Sequence, residues 1–135
     1  MIKFNELKVG DYVIAEYEGQ KRDGVVTHLN GDEKQVSVET DVQDFYYDPQ
    51  HLYPIPITHQ ALLDLHFTSE NLADGSVKYK KGSFRLLIPR KDDFSSLEMW
   101  YREDRRHHPN VHSIHQLQNF YLDMTKIHLN NEVMV

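Results

Sequence analysis

The chain of 135 residues contains no cysteine and no long apolar run. Without cysteine there are no disulfides, thiolate nucleophiles or cysteine-containing zinc sites, and a reducing compartment is expected. No stretch approaches the roughly 20 apolar residues that a membrane-spanning helix needs. The opening "MIKFNELKVGDY" is charged at Lys3, Glu6 and Lys8 and lacks the apolar core of a signal peptide. We therefore expect a soluble, cytoplasmic protein without a membrane partner.

The sequence also lacks the biased composition of a disordered protein. Hydrophobic residues make up 39% of the chain, aromatic residues 11% and charged residues 27%, which is typical of a globular protein. A chain of this size can bury about two thirds of its unfolded surface. Composition therefore predicts one domain, or two small sub-domains packed as one compact unit.

The net negative charge of the chain belongs to its first part. The net charge is −6. Residues 1–57 hold 5 basic and 11 acidic side chains, whereas residues 58–135 hold 10 of each. Within the second part, residues 78–106 hold 9 basic and 5 acidic side chains and are locally basic. Any attraction for an anionic partner is therefore expected in residues 78–106.

Residues 1–57 are predicted to form an SH3-like small β-barrel. Alternation of apolar residues begins near Tyr12 and recurs in "VVTHL", "QVSVET" and "DFYY", with "EGQKRDG" as a polar loop. Asn30 and Gly31 form a pair that suits a hairpin turn. Pro54 and Pro56 restrict the last extended segment to a sheet edge. Five short strands in 57 residues are typical of a small barrel.

Residues 58–135 are predicted to be an α+β sub-domain, which makes the whole chain α+β. Thr58 is a good N-cap for a helix over "HQALLDLHF". After the loop "TSENLADGS", the segments "VKYK", "SFRLLIP" and "SSLEMWY" predict an antiparallel β-meander. A C-terminal amphipathic helix is expected from about Ser113 to Lys126, opened by a capping box between Ser113 and Gln116. The tail "IHL" is a candidate for one more strand.

Four of the nine histidines fall within nine residues of "HHPNVHSIHQLQNFY". These histidines raise an alternative function, that of a metal-dependent enzyme in which Glu103 or Asp104 would be a carboxylate ligand. The histidine ligands of such a site would be His107, His108, His112 and His115. The spacing matches no established metal motif. Pro109-Asn110 also predicts a turn, which would leave the first two histidines in a loop. We therefore predict no metal and no cofactor.

Sequence motifs of catalysis are missing as well. The chain has no glycine-rich phosphate loop, no G-x-S-x-G sequence and no paired carboxylates at a recognisable spacing. Serine, histidine and aspartate all occur, but no context singles out a nucleophile. The prediction is a protein that is not an enzyme and has no catalytic residues.

Three segments stand out in order and spacing: "LKVGDYV", "LYPIPITHQALLDLHF" and "VHSIHQLQNFYLDMT". They resemble the opening, the Ile-Pro-Leu-Thr helix and the Val-His-Gln-Leu-Gln-Asn-Leu-Tyr helix of a family of small uncharacterised proteins from Bacteroidetes genomes and their phages or prophages. The chain departs from the family at Ile114, at Phe120 and in a charged insert around "YREDRRHHPN". The resemblance implies a phage context but no activity. It singles out a polar face on the last helix, made of His115, Gln116, Gln118 and Asn119. The favoured alternative is structural: His115 and Gln116 would satisfy backbone groups at the helix start, and Gln118 or Asn119 would bond to the barrel.

The leading hypothesis is a non-enzymatic interaction module that binds a protein through the barrel or its junction with the second part. Exposed aromatic residues often serve this purpose, although many tyrosines are core residues. A host protein is the partner that the phage context implies. The predicted binding residues are Tyr12, Tyr17, Tyr46, Tyr47, Tyr53, His115, Gln118 and Asn119.

Nucleic-acid binding through the basic segment is the second hypothesis. Its candidate residues are Lys78, Lys80, Arg85, Arg102, Arg105 and Arg106. They are interleaved with Tyr79, Phe84, Trp100 and Tyr101, which could stack on bases. The acidic first part would repel phosphates, which disfavours this function. The alternative interpretation is that these cations simply face solvent on a half-buried sheet.

Overall fold

A computed structural model describes residues 1–108 and 110–131, with His108 described through its backbone alone. The chain divides into two compact units. Unit 1 comprises Met1–Pro56 and Ser113–Asn119, and unit 2 comprises Ile57–His112 and the chain from Phe120 onward. Ten strands in two antiparallel sheets and two α-helices are present in the described residues. The prediction of an α+β fold is therefore confirmed.

Unit 1 is built on a five-stranded antiparallel sheet of order β4-β3-β2-β1-β5. Its strands are β1 (Tyr12–Tyr17), β2 (Gln20–Asn30), β3 (Gln35–Thr40), β4 (Asp44–Tyr47) and β5 (Leu52–Tyr53). Single 3-10 turns at Phe4–Glu6 and Pro49–His51 precede β1 and β5. Alternate strand residues fill the core, among them Val13, Val36 and Val38.

The sheet of unit 1 is open. Its edges are β4 and β5, and these two strands do not pair with each other within the part of the chain that the structure describes. A closed barrel over residues 1–57 is therefore not confirmed. The last strand does return to the first, with Leu52 opposite Ala15 and Tyr53 opposite Ile14.

Two turns of unit 1 differ from the prediction. The segment "EGQKRDG" is not a loop, because Glu18 and Gly19 alone make the turn, with φ of 51° and 77°. Two residues with positive φ close a tight hairpin, so β2 begins already at Gln20. At the next turn the positive φ of 54° belongs to Lys34 and not to Gly31. Asn30 Oδ1 organises that longer turn by accepting the amides of residues 32 and 33, each at 3.2 Å.

Unit 2 is built on a second antiparallel sheet, of order β10-β9-β8-β7-β6. Its elements are α1 (His59–Asp64), β6 (Thr68–Asn71), β7 (Val77–Lys81), β8 (Phe84–Ile88), β9 (Leu97–Tyr101) and β10 (Asp104–His108). The predicted cap of α1 is confirmed, since the Ala61 amide donates to Thr58 Oγ1 at 3.1 Å. Helix α2 (Ile114–Thr125) belongs to unit 1 up to Asn119 and to unit 2 from Phe120.

The two edge strands of unit 2 were predicted as loops, which is wrong. Part of "TSENLADGS" is β6, and His107 and His108 lie in β10, paired with Glu98 and Leu97. Every residue of β6 is exposed, so its sequence has no apolar alternation to detect. Polar and charged residues are the usual composition of sheet edges. The candidate strand "IHL" is not formed, because residues 127–129 lie outside any strand.

One face of the second sheet carries the core of unit 2. Tyr79, Phe84, Leu86 and Met99 are at most 1% exposed. The Phe84 ring lies 4.9 Å from that of Tyr121 in α2, measured between centroids. No helix in the described residues is long and apolar enough to cross a membrane.

Candidate functional site

Three aromatic side chains of unit 1 are exposed: Tyr17 by 47%, Phe45 by 41% and Tyr46 by 54%. Tyr17 and Phe45 lie where the core face of the sheet reaches its outer end, whereas Tyr46 lies on the other face, opposite Ser37 of β3. On β1 the alternation runs through the buried Val13 and Ala15 to Tyr17, and on β4 Phe45 shares a face with Tyr47. The rings of Tyr17 and Phe45 meet edge to face, with centroids 5.3 Å apart. The core of unit 1 therefore continues to the surface as exposed aromatic residues.

Two hollows adjoin these residues. The first, of about 370 Å³, is lined by Tyr17, Phe45, Tyr46 and Tyr47 and by acidic residues. Its carboxylates come from Glu16, Glu18 and Asp48. The second, of about 420 Å³, is lined by Ala15, Tyr17, Val42, Tyr47 and neighbouring polar residues. We call Tyr17, Val42, Phe45, Tyr46 and Tyr47 the aromatic end of unit 1.

The chemistry of the aromatic end suits a cationic group. Aromatic rings attract cations to their faces, and a hollow lined by carboxylates concentrates positive charge. One such contact is formed within unit 1, where Lys21 Nζ lies 4.3 Å from the centroid of the Tyr53 ring. Tyr53 Oη also lies 3.4 Å from Glu16 Oε1.

The structure brings together three of the five predicted tyrosines. Tyr17, Tyr46 and Tyr47 line the first hollow, although Tyr47 is only 6% exposed. Tyr12 and Tyr53 are half-buried and, by strand alternation, lie on the other face of the sheet. The prediction missed Phe45 and Val42, which are exposed. The alternation within "DFYY", which places Phe45 beside Tyr47, is the signal that could have found Phe45.

The polar residues of α2 hold the chain that leads into β1. Gln118 donates from Nε2 to the Gly10 carbonyl at 3.0 Å and accepts the Tyr12 amide at 2.7 Å. Asn119 Nδ2 donates to the Glu6 carbonyl at 2.9 Å and to Asp11 Oδ2 at 3.2 Å. These contacts give the predicted binding residues Gln118 and Asn119 a positioning role inside unit 1.

His115 lies in a buried polar chain beside them. The residue is 2% exposed, with Nδ1 at 3.1 Å from Ser113 Oγ and Nε2 at 3.5 Å from Glu6 Oε2. Among the described residues, Nε2 has no hydrogen-bond partner. Burial lowers the pKa of His115, and the nearby Glu6 carboxylate opposes that shift only in part. Gln116 completes the helix start, because its Oε1 accepts the Ser113 amide at 3.2 Å, as the capping box predicts.

The lowered pKa of His115 predicts a pH-dependent stability. The unfolded chain binds a proton near the ordinary value of 6.5, whereas the folded chain resists protonation. The stabilisation from neutral His115 is therefore complete above about pH 6.5 and is lost as the pH falls towards the folded-state pKa. We expect the melting temperature to fall between pH 7.5 and 5.5, and to fall less in His115→Gln. The exposed His128 provides the control His128→Gln, which should melt like the parent chain; an unchanged slope in His115→Gln would contradict this prediction.

His107 and His112 each have contacts of their own within unit 2. His107 lies in β10 with Nε2 3.3 Å from Ser96 Oγ, and the His112 carbonyl accepts the Ile57 amide at 3.1 Å. The side chain of His108 lies outside the described residues. Within residues 1–108 and 110–131, no three histidine, aspartate or glutamate side chains are grouped so that they could hold a metal ion.

The basic residues of unit 2 are divided between its surfaces. Lys78, Lys80, Arg85 and Arg105 alternate with core residues and lie on the open face of the sheet. Arg106 lies on the other face, where it donates to Asp104 at 2.8 Å and to Asp123 of α2 at 2.9 Å. Arg102, at a φ of 58°, forms the turn between β9 and β10.

Of the four aromatic residues expected to stack on bases, two are unavailable. Tyr79 is 1% exposed and Phe84 is fully buried, so both are core residues. Trp100 and Tyr101 remain half-buried.

No family model, curated protein or solved structure matches the chain. The resemblance to the Bacteroidetes and phage family is therefore a prediction that these comparisons leave open.

Proposed function

We propose that the chain is a non-enzymatic interaction module that binds a protein partner through the aromatic end of unit 1. The observation that carries this proposal is the grouping of Tyr17, Phe45 and Tyr46, all more than 40% exposed, around a hollow. Exposed aromatic residues contribute little to folding, and at interfaces they are the residues that most often dominate binding energy.

The partner proposed is a peptide segment that carries arginine or lysine. Three carboxylates line the first hollow, and residues 1–57 hold an excess of 6 acidic side chains. A basic side chain placed there would meet aromatic rings and carboxylates together, which is favourable for a guanidinium group. The likeness of the open five-stranded sheet to peptide-binding SH3-like barrels supports this function by analogy of fold alone.

A peptide titration tests this proposal. The ¹⁵N-labelled chain would be titrated with Gly-Arg-Gly-Lys-Gly-Arg and with its counterpart in which glutamate replaces each basic residue. We expect amide shifts to change at β4 and at the β1–β2 turn with the basic peptide only. Replacing Tyr17 and Phe45 together by alanine should weaken binding by roughly 10-fold or more, since aromatic anchors often contribute 2 kcal/mol or more.

The matched control is Tyr101→Ala, which removes a half-buried tyrosine from unit 2. It should bind the basic peptide as the parent chain does. Equal shifts with both peptides, or equal loss in Tyr101→Ala, would contradict the proposal.

A further inference from the structure

One row of side chains crosses the open face of the second sheet. The strand register places Thr68 opposite Lys80, Lys80 opposite Arg85, Arg85 opposite Trp100 and Trp100 opposite Arg105. From Lys80 to Arg105 the row crosses three inter-strand spacings, or roughly 14 Å. It therefore presents three cations and the chain's only tryptophan on a single line.

Lys80 and Arg85 stand directly opposite each other without an opposing charge. Neither forms an ion pair within residues 1–108 and 110–131. Arg85 instead donates to the Gly82 carbonyl at 2.6 Å. Like charges directly opposite on neighbouring strands are destabilising. Folding therefore gives no reason for this pair, whereas an anion bound between the two side chains would relieve the repulsion.

The next row of the same face is different. It runs through Glu70, Lys78, Leu87, Glu98 and His107. Lys78 lies 3.8 Å from Glu70 there, and Glu98 accepts Arg105 at 3.0 Å. Lys78 and Arg105 are therefore neutralised by acidic neighbours on the sheet, whereas Lys80 and Arg85 are not. The excess positive charge is localised at Lys80 and Arg85.

Trp100 lies between the unpaired cations and Arg105. The Arg105 guanidinium lies 4.7 Å from the centroid of its ring. Arg105 thus covers one face of the half-buried indole, and a planar base would stack on the remaining exposed part of the ring while Lys80 and Arg85 contact phosphates. An acidic peptide would use the cations but has no general need of the indole. The combination therefore favours a nucleic acid with unpaired bases.

We infer that the open face of the second sheet binds single-stranded nucleic acid, with Lys80 and Arg85 on the phosphates and Trp100 against a base. This surface belongs to unit 2 and is independent of the protein-binding site proposed on unit 1. Unit 2 does not share the acidic excess of residues 1–57, so it lacks the repulsion that disfavours binding to unit 1.

The fluorescence of Trp100 provides the signal for a binding test, because this residue lies in the proposed site. The full chain would be titrated with twelve-residue oligothymidylate and oligouridylate, following the fluorescence of Trp100 at low and at moderate salt. We expect quenching that weakens steeply as salt rises. Oligoglutamate of equal charge should not produce it.

Paired variants make the assignment specific. Lys80→Ala with Arg85→Ala should reduce the salt slope of log K by about 2, since each phosphate contact contributes about 1. The same variant should melt no lower than the parent chain, because a repulsive pair has been removed. Lys21→Ala with Arg22→Ala changes the same residue types and charge on the exposed part of β2 and should bind as the parent does. Trp100→Leu, measured by anisotropy of a labelled oligonucleotide, should weaken binding roughly 5- to 150-fold, the value of one stacked base.

Each contrary outcome overturns the inference. Absence of quenching at low salt would show that the row does not bind single strands. An equal response to oligoglutamate would assign the surface to acidic protein segments. Equal losses in the Lys80/Arg85 and Lys21/Arg22 variants would show a general charge effect without a site on the sheet.

Discussion

Phe84→Ala is expected to lower the free energy of unfolding by about 3–5 kcal/mol, the range for removing a large aromatic side chain from a core. Phe84 is fully buried. Its ring lies 4.9 Å from Tyr121 and 6.2 Å from Phe67, measured between centroids. These contacts come from α2 and from the connection between α1 and β6, so the substitution would leave a cavity that one neighbour alone cannot fill. Denaturant titration followed by circular dichroism would measure the loss.

Phe45→Ala is the matched control for Phe84→Ala. Both residues are phenylalanines on strands, but Phe45 is 41% exposed. The change should cost less than about 1 kcal/mol, because much of the ring already contacts water. A loss at Phe45 as large as that at Phe84 would mean that Phe45 is a packing residue, and the aromatic end would lose its main support as a binding surface. A small loss would make Phe45→Ala a suitable variant for the peptide titration, because its fold would be intact.

Buried strands could be predicted from the sequence, whereas edge strands could not. In β3, Val36 and Val38 alternate with more polar residues, and both are fully buried. The alternation directly reflects a sheet with one buried face. In β6 and β10 the side chains are polar or charged, so the strands are specified by pairing with β7 and β9 and leave no pattern. Pairing between distant segments is not visible in a local window.

For the candidate sites, residue type could be read from the sequence, whereas exposure and orientation could not. The sequence supplied Tyr17 and Tyr46 as binding residues but could not separate them from Tyr47, which is buried. Residue type alone does not indicate exposure. Likewise, Arg105 and Arg106 are neighbours in sequence, yet strand alternation sends them to opposite faces of the sheet. A double substitution of the two would therefore combine a surface effect with the loss of the Arg106 ion pairs to Asp104 and Asp123.

Gln118→Ala is expected to lower the free energy of unfolding by about 2–4 kcal/mol, which is unusual for a polar residue. Gln118 is 4% exposed and bonds two backbone groups, the Gly10 carbonyl and the Tyr12 amide. Removing its amide deprives both groups of that partner, and a buried polar group left without compensation costs about 1–3 kcal/mol. Thermal and denaturant unfolding would measure the change.

Gln118→Met separates hydrogen bonding from packing, because methionine keeps most of the side-chain volume without the two bonds. If the bonds dominate, Gln118→Met should lose nearly as much stability as Gln118→Ala. Gln60→Ala is the control, since Gln60 is an exposed helical glutamine that donates to Asp64 at 2.9 Å; it should stay within about 0.5 kcal/mol of the parent chain. A stable Gln118→Met would show that packing, and not the link to residues 10 and 12, explains why the last helix carries a glutamine here. A destabilised one would identify Gln118 as the residue that fixes the start of β1, the strand that ends at Tyr17.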